Sequence, residues 1–212
     1  NNTKEYIDLT KNIQDIFEEK VIEKKDKIAI KYKNIKISYF QLNNNANKIA
    51  NFLVKNNIKQ KDVIVITMKR SIEMLETILG VIKSGAIYFL IDDSLPEERK
   101  KYILNNSKAK MIIIDDSIDK KYIEKDSENK EKIKKITDIK LLEKNTKNPN
   151  IQSSSEDVAC LIYTSGSTGM PKGIELRRKG ILNLVSSFKK HLNIEICNQF
   201  ISISTISFDM FM

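Results

Sequence analysis

The chain has 212 residues, 41% of them apolar and 31% charged, with a formal net charge of +9. The apolar share is ample for a buried core and argues against a disordered chain. No apolar run reaches membrane-spanning length, and Cys160 and Cys197 form neither a disulfide framework nor a metal-ligand spacing. The positive charge is nearly all lysine, scattered among Glu and Asp, and aromatics do not alternate with it as in a base-stacking platform. It therefore reads as a solvated surface, with no nucleic acid and no membrane as partner. The single histidine, His191, follows two lysines on a predicted helix and reads as a surface residue.

In chain order, Ile13, Ile16, Phe17 and Val21 predict a helix within residues 1–25. Residues 27–33 alternate as a strand and residues 35–38 form a hairpin with it. Leu42, Ala46, Ile49, Ala50 and Leu53 share one face of a strong helix. Residues 63–68 (VIVITM) are an almost wholly apolar run, the mark of a strand covered on both faces. Ser71 caps a second helix whose expected inner face is Leu75, Ile78, Leu79 and Ile82, and Gly85 ends it. Residues 87–91 are another buried run. Ser94-Leu95-Pro96-Glu97 resembles a capping box with proline near the first turn, opening a helix that carries Tyr102, Ile103 and Leu104. Residues 111–114 are a third apolar strand, ending at Asp115-Asp116. The alternation of strands and helices from residue 63 to 116 predicts an α/β fold with a parallel-rich sheet flanked by helices.

Residues 117–135 are densely charged and read as a surface insertion or loose helix, and residues 145–155 as a polar connector. Residues 157–163 are again a buried strand, with Cys160 as a buried hydrophobe. A short strand is expected at 174–176, then a helix with Ile181, Leu184, Val185 and Phe188 inward, then a strand at 199–206. The apolar ending at 208–212 and the missing initial Met lead us to expect a piece of a longer polypeptide. The acidic pairs Asp92-Asp93 and Asp115-Asp116, at strand ends, read as caps and solvated residues.

Residues 163–173, YTSGSTGMPKG, are the most informative segment. Gly166, Gly169 and Gly173 are half of the chain's six glycines, and glycine lets main-chain N–H groups approach an anion closely. Thr164, Ser165, Ser167 and Thr168 add hydroxyl donors, Lys172 a positive charge, and Pro171 stiffens the exit. A row of small donors with one cation suits a polyphosphate. The spacing is neither that of the GxxxxGK[ST] P-loop nor a dinucleotide fingerprint; a Ser/Thr/Gly-rich surface turn is the bland alternative.

The full order of that segment resembles the signature loop of the adenylate-forming (AMP-binding) superfamily, in which the loop holds the phosphates of ATP. The resemblance runs from about residue 37 to the end. Ile37-Ser38-Tyr39-Phe40-Gln41-Leu42, Arg70-Ser71 with Glu73-Met74, residues 81–88 (VIKSGAIY), Ile91-Asp92 and Pro96-Glu97-Glu98-Arg99 resemble blocks of nonribosomal peptide synthetase adenylation domains. Phe208-Asp209 is similar to the family's short motif whose Asp grips the substrate's α-amino group. Ile87, Leu90, Arg178 and Phe211 depart from the usual residues.

The resemblance implies an adenylate-forming ligase. An amino acid carboxylate attacks the α-phosphorus of ATP, pyrophosphate leaves, and the aminoacyl-adenylate passes to the phosphopantetheine thiol of a carrier protein. Thr164, Ser165, Gly166, Ser167, Thr168, Gly169 and Lys172 are the implied phosphate-binding residues, and Asp209 the implied partner of the substrate amino group. Mg2+ would accompany ATP, with no residue assigned as its ligand. The catalytic Lys is expected downstream, in the remainder of the adenylation domain, so residues 1–212 alone are expected to be inactive. Residues 1–25 read as a helical lead and 26–212 as the N-terminal portion of that domain, in a cytoplasmic protein. A D-alanine or aryl/acyl ligase of the same superfamily is the nearest rival. A non-catalytic nucleotide-binding half-domain is the rival of another class.

Overall fold

The computed structural model describes residues 10–119, 123, 130–165, 171–191 and 199–202. Helix α1 (Ile13–Glu23) leads into an antiparallel hairpin of β1 (Ile28–Tyr32) and β2 (Ile35–Ser38). Ser38 then starts α2 (Tyr39–Lys55) with a capping box: its hydroxyl accepts from the Gln41 amide at 3.2 Å, and the Gln41 side chain accepts from the Ser38 amide at 2.9 Å. There follow β3 (Val63–Thr67), α3 (Ile72–Lys83), β4 (Ile87–Leu90), α4 (Glu97–Asn106), β5 (Met111–Ile114), β6 (Ile133–Lys135) and α5 (Ile136–Leu142). The hairpin of β7 (Val158–Ser165) and β8 (Pro171–Arg177) leads into α6 (Arg178–His191).

Six strands form one sheet in the order β6-β5-β3-β4-β7-β8, parallel except for the antiparallel β7–β8 pair at its edge. The expected α/β architecture is therefore the one observed. Strand alternation sorts the core into two layers. Ile64, Ile66, Tyr88, Leu90, Met111, Ile113 and Cys160 pack against α2, α3 and α5 on one face. Val65, Phe89, Ile112 and Ile114 pack against Ile103 and Leu104 of α4 on the other. Among the described residues no helix is long and apolar enough to cross a membrane.

Several expectations are corrected. Helix α3 is rotated from its predicted face: Met74, Thr77, Gly80 and Val81 are buried beside the expected Ile82, while Leu75, Ile78 and Leu79 are only partly buried. The cause is close packing on α2, since a Cβ at Gly80 would lie 2.6 Å from the Ile49 Cβ. Ser71 does cap α3, accepting from the Met74 amide at 3.1 Å, and Gly85 follows the helix with φ +82°, a conformation that favours glycine. The Ser94 capping box does not form. Pro96 is the N-cap residue of α4, and the Ser94 amide donates to Asp92 instead. On α6, Leu182 is the buried residue, whereas Val185 and Phe188 are exposed at 50% and 40%. The charged stretch 117–135 ends in a sheet strand, β6. The final strand expected at 199–206 is absent from residues 199–202, and the rest of it lies outside the described residues.

The 145–155 segment is a connector tied down by asparagines of α2. Asn47, fully buried, donates to the Thr146 carbonyl and the Asn148 side chain, both at 2.7 Å. Asn51 donates to the Asn145 and Lys147 carbonyls at 3.1 and 2.9 Å. Buried cations fasten α1. Lys83 donates to Glu18 and, at 2.9 Å, to Asn43, and burial pushes its pKa down against the opposing pull of Glu18. Arg178, fully buried, donates to Gln14 of α1 at 2.7 Å and to the Ile82 carbonyl at 3.1 Å. Burial lowers its pKa also, while Asp157 and Asp15 oppose that shift.

Candidate nucleotide site

In a parallel sheet, ligands bind beyond the carboxyl ends of the strands. β7 runs parallel to β4 with Phe89 level with Leu161, so β4 ends one residue later at Leu90 while β7 continues through Tyr163, Thr164 and Ser165. The β7–β8 hairpin thus carries its arms past the end of β4. Its arms are in register: Tyr163 opposite Gly173, Thr164 opposite Lys172, Ser165 opposite Pro171. Thr164 and Lys172, both expected phosphate-binding residues, are exposed neighbours across the two arms. Gly166, Ser167, Thr168 and Gly169, between the two arms in sequence, lie outside the described residues, as does Asp209.

The base of the hairpin is fixed by Tyr163. Its ring packs on Phe89 with centroids 5.0 Å apart, and its hydroxyl donates to the Asn106 side chain at 2.7 Å. A Cβ at Gly173 would meet the Tyr163 ring at 3.2 Å, so glycine there lets the ring cross to the opposite arm. Partial burial raises the Tyr163 pKa, keeping its hydroxyl protonated and able to donate at neutral pH. In the sequence Tyr163 stands out only as the start of the motif, and Asn106 carries no signal because its role depends on where α4 ends.

The neighbouring strand ends are charged. Arg70, following β3, donates to the Ser202 carbonyl at 2.7 Å and to its hydroxyl at 3.2 Å, bringing a segment distant in sequence to this edge. The acidic pairs have the structural roles expected of them. Asp92 accepts from the Ser94 amide, Asp93 pairs with Lys100 at 2.8 Å, Asp115 accepts from the Lys69 and Ser117 amides, and Asp116 pairs with Lys135 at 2.6 Å. Among the described residues no group of three His, Cys, Asp or Glu could hold a metal ion.

A hairpin with this sequence, raised beyond the carboxyl edge of a helix-flanked parallel sheet, defines a nucleotide-binding class of α/β protein. The model of the family described as AMP-binding enzyme matches residues 17–212, and the chain belongs to that family. It is 35% identical over 209 residues to gramicidin S synthase 1 of Brevibacillus brevis, covering 99% of this chain and 19% of that protein. The chain therefore spans about a fifth of that relative's length. The nonribosomal peptide synthetase FmoA3 superposes with a TM-score of 0.84 at 20% identity, over 99% of this chain and 22% of that one, a likeness of fold. The anthranilate CoA ligase AuaEII, solved with anthranoyl-AMP, superposes with a TM-score of 0.72 at 27% identity, over 81% of this chain and 34% of that one. The family resemblance seen in residues 163–173 is thereby borne out.

Proposed function

We propose that this chain is part of an amino-acid-activating adenylation domain. The carboxylate oxygen of an amino acid attacks the α-phosphorus of ATP; the bond to the β,γ-phosphates breaks and pyrophosphate leaves, giving an aminoacyl-adenylate. The observation that supports this reading is the hairpin whose arms, residues 158–165 and 171–177, run on beyond the end of β4. From its arms Thr164, Ser165 and Lys172, with Gly166, Ser167, Thr168 and Gly169 between them in sequence, bind the departing phosphates. Positioning and charge neutralisation are the protein's whole contribution at this end of the reaction. Mg2+ accompanying ATP would supply further neutralisation of phosphate charge, and no residue of this chain is assigned as its ligand.

Asp209 pairs with the substrate ammonium, which selects against acids that lack an amine, because an unpaired buried charge is costly. The adenylate then passes to the phosphopantetheine thiol of a carrier protein. The kinship with a gramicidin synthase supports an amino acid as substrate and a carrier as acceptor. Residues 26–212 form the N-terminal portion of the domain, with 1–25 as its lead. An ATP-consuming ligase of this kind belongs in the cytoplasm.

The likeness to AuaEII supports a second reading, an aryl acid as substrate. Incubating the full-length protein with ATP and single acids, then detecting the acyl-adenylate by mass spectrometry, decides between them. Adenylates of α-amino acids support the first reading; adenylates only of aryl acids support the second.

A further inference from the structure

We propose that Tyr163 and Asn106 form a fixed post that positions both arms of the phosphate hairpin. Three contacts converge on one side chain. The Tyr163 ring packs on Phe89 of β4, inside the sheet. Its hydroxyl donates to Asn106, the last residue of α4, at 2.7 Å. Its ring lies across Gly173, its partner on the other arm, close enough that a Cβ there would stand 3.2 Å from the ring's Cζ. A hairpin that extends past its neighbouring strand has no further ladder on that side to hold it. A tyrosine at the point of exit supplies the missing constraint through its ring, and its hydroxyl ties the exit to α4, the helix covering that face of the sheet. Thr164 and Lys172 are the next residues out on the two arms, so their placement depends on the post. Tyr163 is thus a positioning residue, acting on phosphates through the loop.

The test uses the full-length protein and two readouts. The first, independent of activity, is hydrogen exchange of the backbone amides of residues 164–173 without nucleotide. Tyr163→Phe and Asn106→Ala should each speed exchange there about threefold to tenfold, the range for loss of one hydrogen bond. The double variant should be no faster than either single variant, because both remove the same bond. Unchanged exchange in that segment, or additive effects in the double variant, would overturn the post. The second readout is steady-state pyrophosphate exchange and rests on the adenylation reading. Tyr163→Phe should raise the KM for ATP by a similar factor and leave the KM for the amino acid unchanged. An equal rise in both would mean general loosening and overturn the positioning role. If the wild type shows no pyrophosphate exchange while the hydrogen-exchange pattern holds, the post stands and the adenylation reading fails.

Discussion

Gly80 of α3 and Ile49 of α2 are packed so closely that a methyl group at residue 80 would lie 2.6 Å from the Ile49 Cβ, 2.7 Å from its Cγ2 and 2.9 Å from the Ala46 carbonyl oxygen. This contact sets how near the two helices lie and which face of α3 turns inward. Gly80→Ala should therefore destabilise the protein by about 1–3 kcal/mol, the usual cost of overpacking, despite alanine's better helix propensity. Urea unfolding measures it. Adding Ile49→Val should recover none of the loss, because valine keeps both the Cβ and the Cγ2 that the added methyl would meet.

Lys83 has only 1% of its side chain exposed, and its pairing with Glu18 opposes a burial that lowers its pKa from the ordinary 10.5. The folded protein thus releases the Lys83 proton more readily than the unfolded chain does. Between the depressed folded pKa and 10.5 the unfolded state binds more protons, so this lysine's contribution makes stability rise with pH across that window. Glu18→Gln removes the opposing carboxylate. It should lower the Lys83 pKa further, extend the window to lower pH, and cost about 1–3 kcal/mol near neutrality for an ammonium left without its counter-charge. Lys83→Met should abolish the window. Denaturation midpoints of the three proteins between pH 7 and 10 measure both effects.

Cys160 is fully buried in β7, and burial pushes its thiol up to about 11 despite the hydrogen bond from Tyr88. The thiolate is the reactive form. In a Cys197→Ser background, Cys160 should resist iodoacetamide at pH 8 in the folded state and react promptly once the protein is unfolded. Mass-spectrometric labelling of residue 160 with time measures this.

Asn51 reaches from α2 to the Asn145 and Lys147 carbonyls and also donates to the Asn47 carbonyl. Asn51→Ala would leave those connector carbonyls without this donor and should cost about 1–3 kcal/mol. Thermal unfolding measures the loss, and proteolysis between residues 145 and 155 should quicken in parallel.

Elements with a strong period were legible in the sequence. The apolar runs of β3, β4 and β5 could only be strands buried on both faces, and α2 buries Leu42, Ala46, Ile49, Ala50 and Leu53 as its spacing predicts. The failures share a cause, which is that tertiary contacts decided them. The face of α3 follows from Gly80, whose importance lies in Ile49 opposite. β6 is a three-residue edge strand, Ile-Lys-Lys, too short and charged to show alternation. It joins the sheet by pairing with β5. Helix α5 follows it with Leu141 and Leu142 exposed at 67% and 73%, so its apolar residues do not trace one buried stripe. Nothing local marks Arg178 as a buried cation; its partners, Gln14 and Ile82, are distant in sequence. For the site, residue order pointed to the family and to a strand on either side of the loop, but not to the Tyr163–Asn106 contact, which exists only once α4 and β7 are side by side.

In the proposed reaction the hairpin and Asp209 serve two different substrates, and this division of labour can be measured. It is tested most directly by pyrophosphate exchange and ATP binding on the full-length protein and its Lys172→Ala and Asp209→Ala variants. The wild type should show exchange that depends on an α-amino acid. Lys172→Ala should bind ATP at least about tenfold more weakly, the value of one charge-assisted phosphate contact. Asp209→Ala should lose amino-acid-dependent exchange while binding ATP as the wild type does. Loss of ATP binding in the Asp209 variant together with wild-type binding in the Lys172 variant would contradict it.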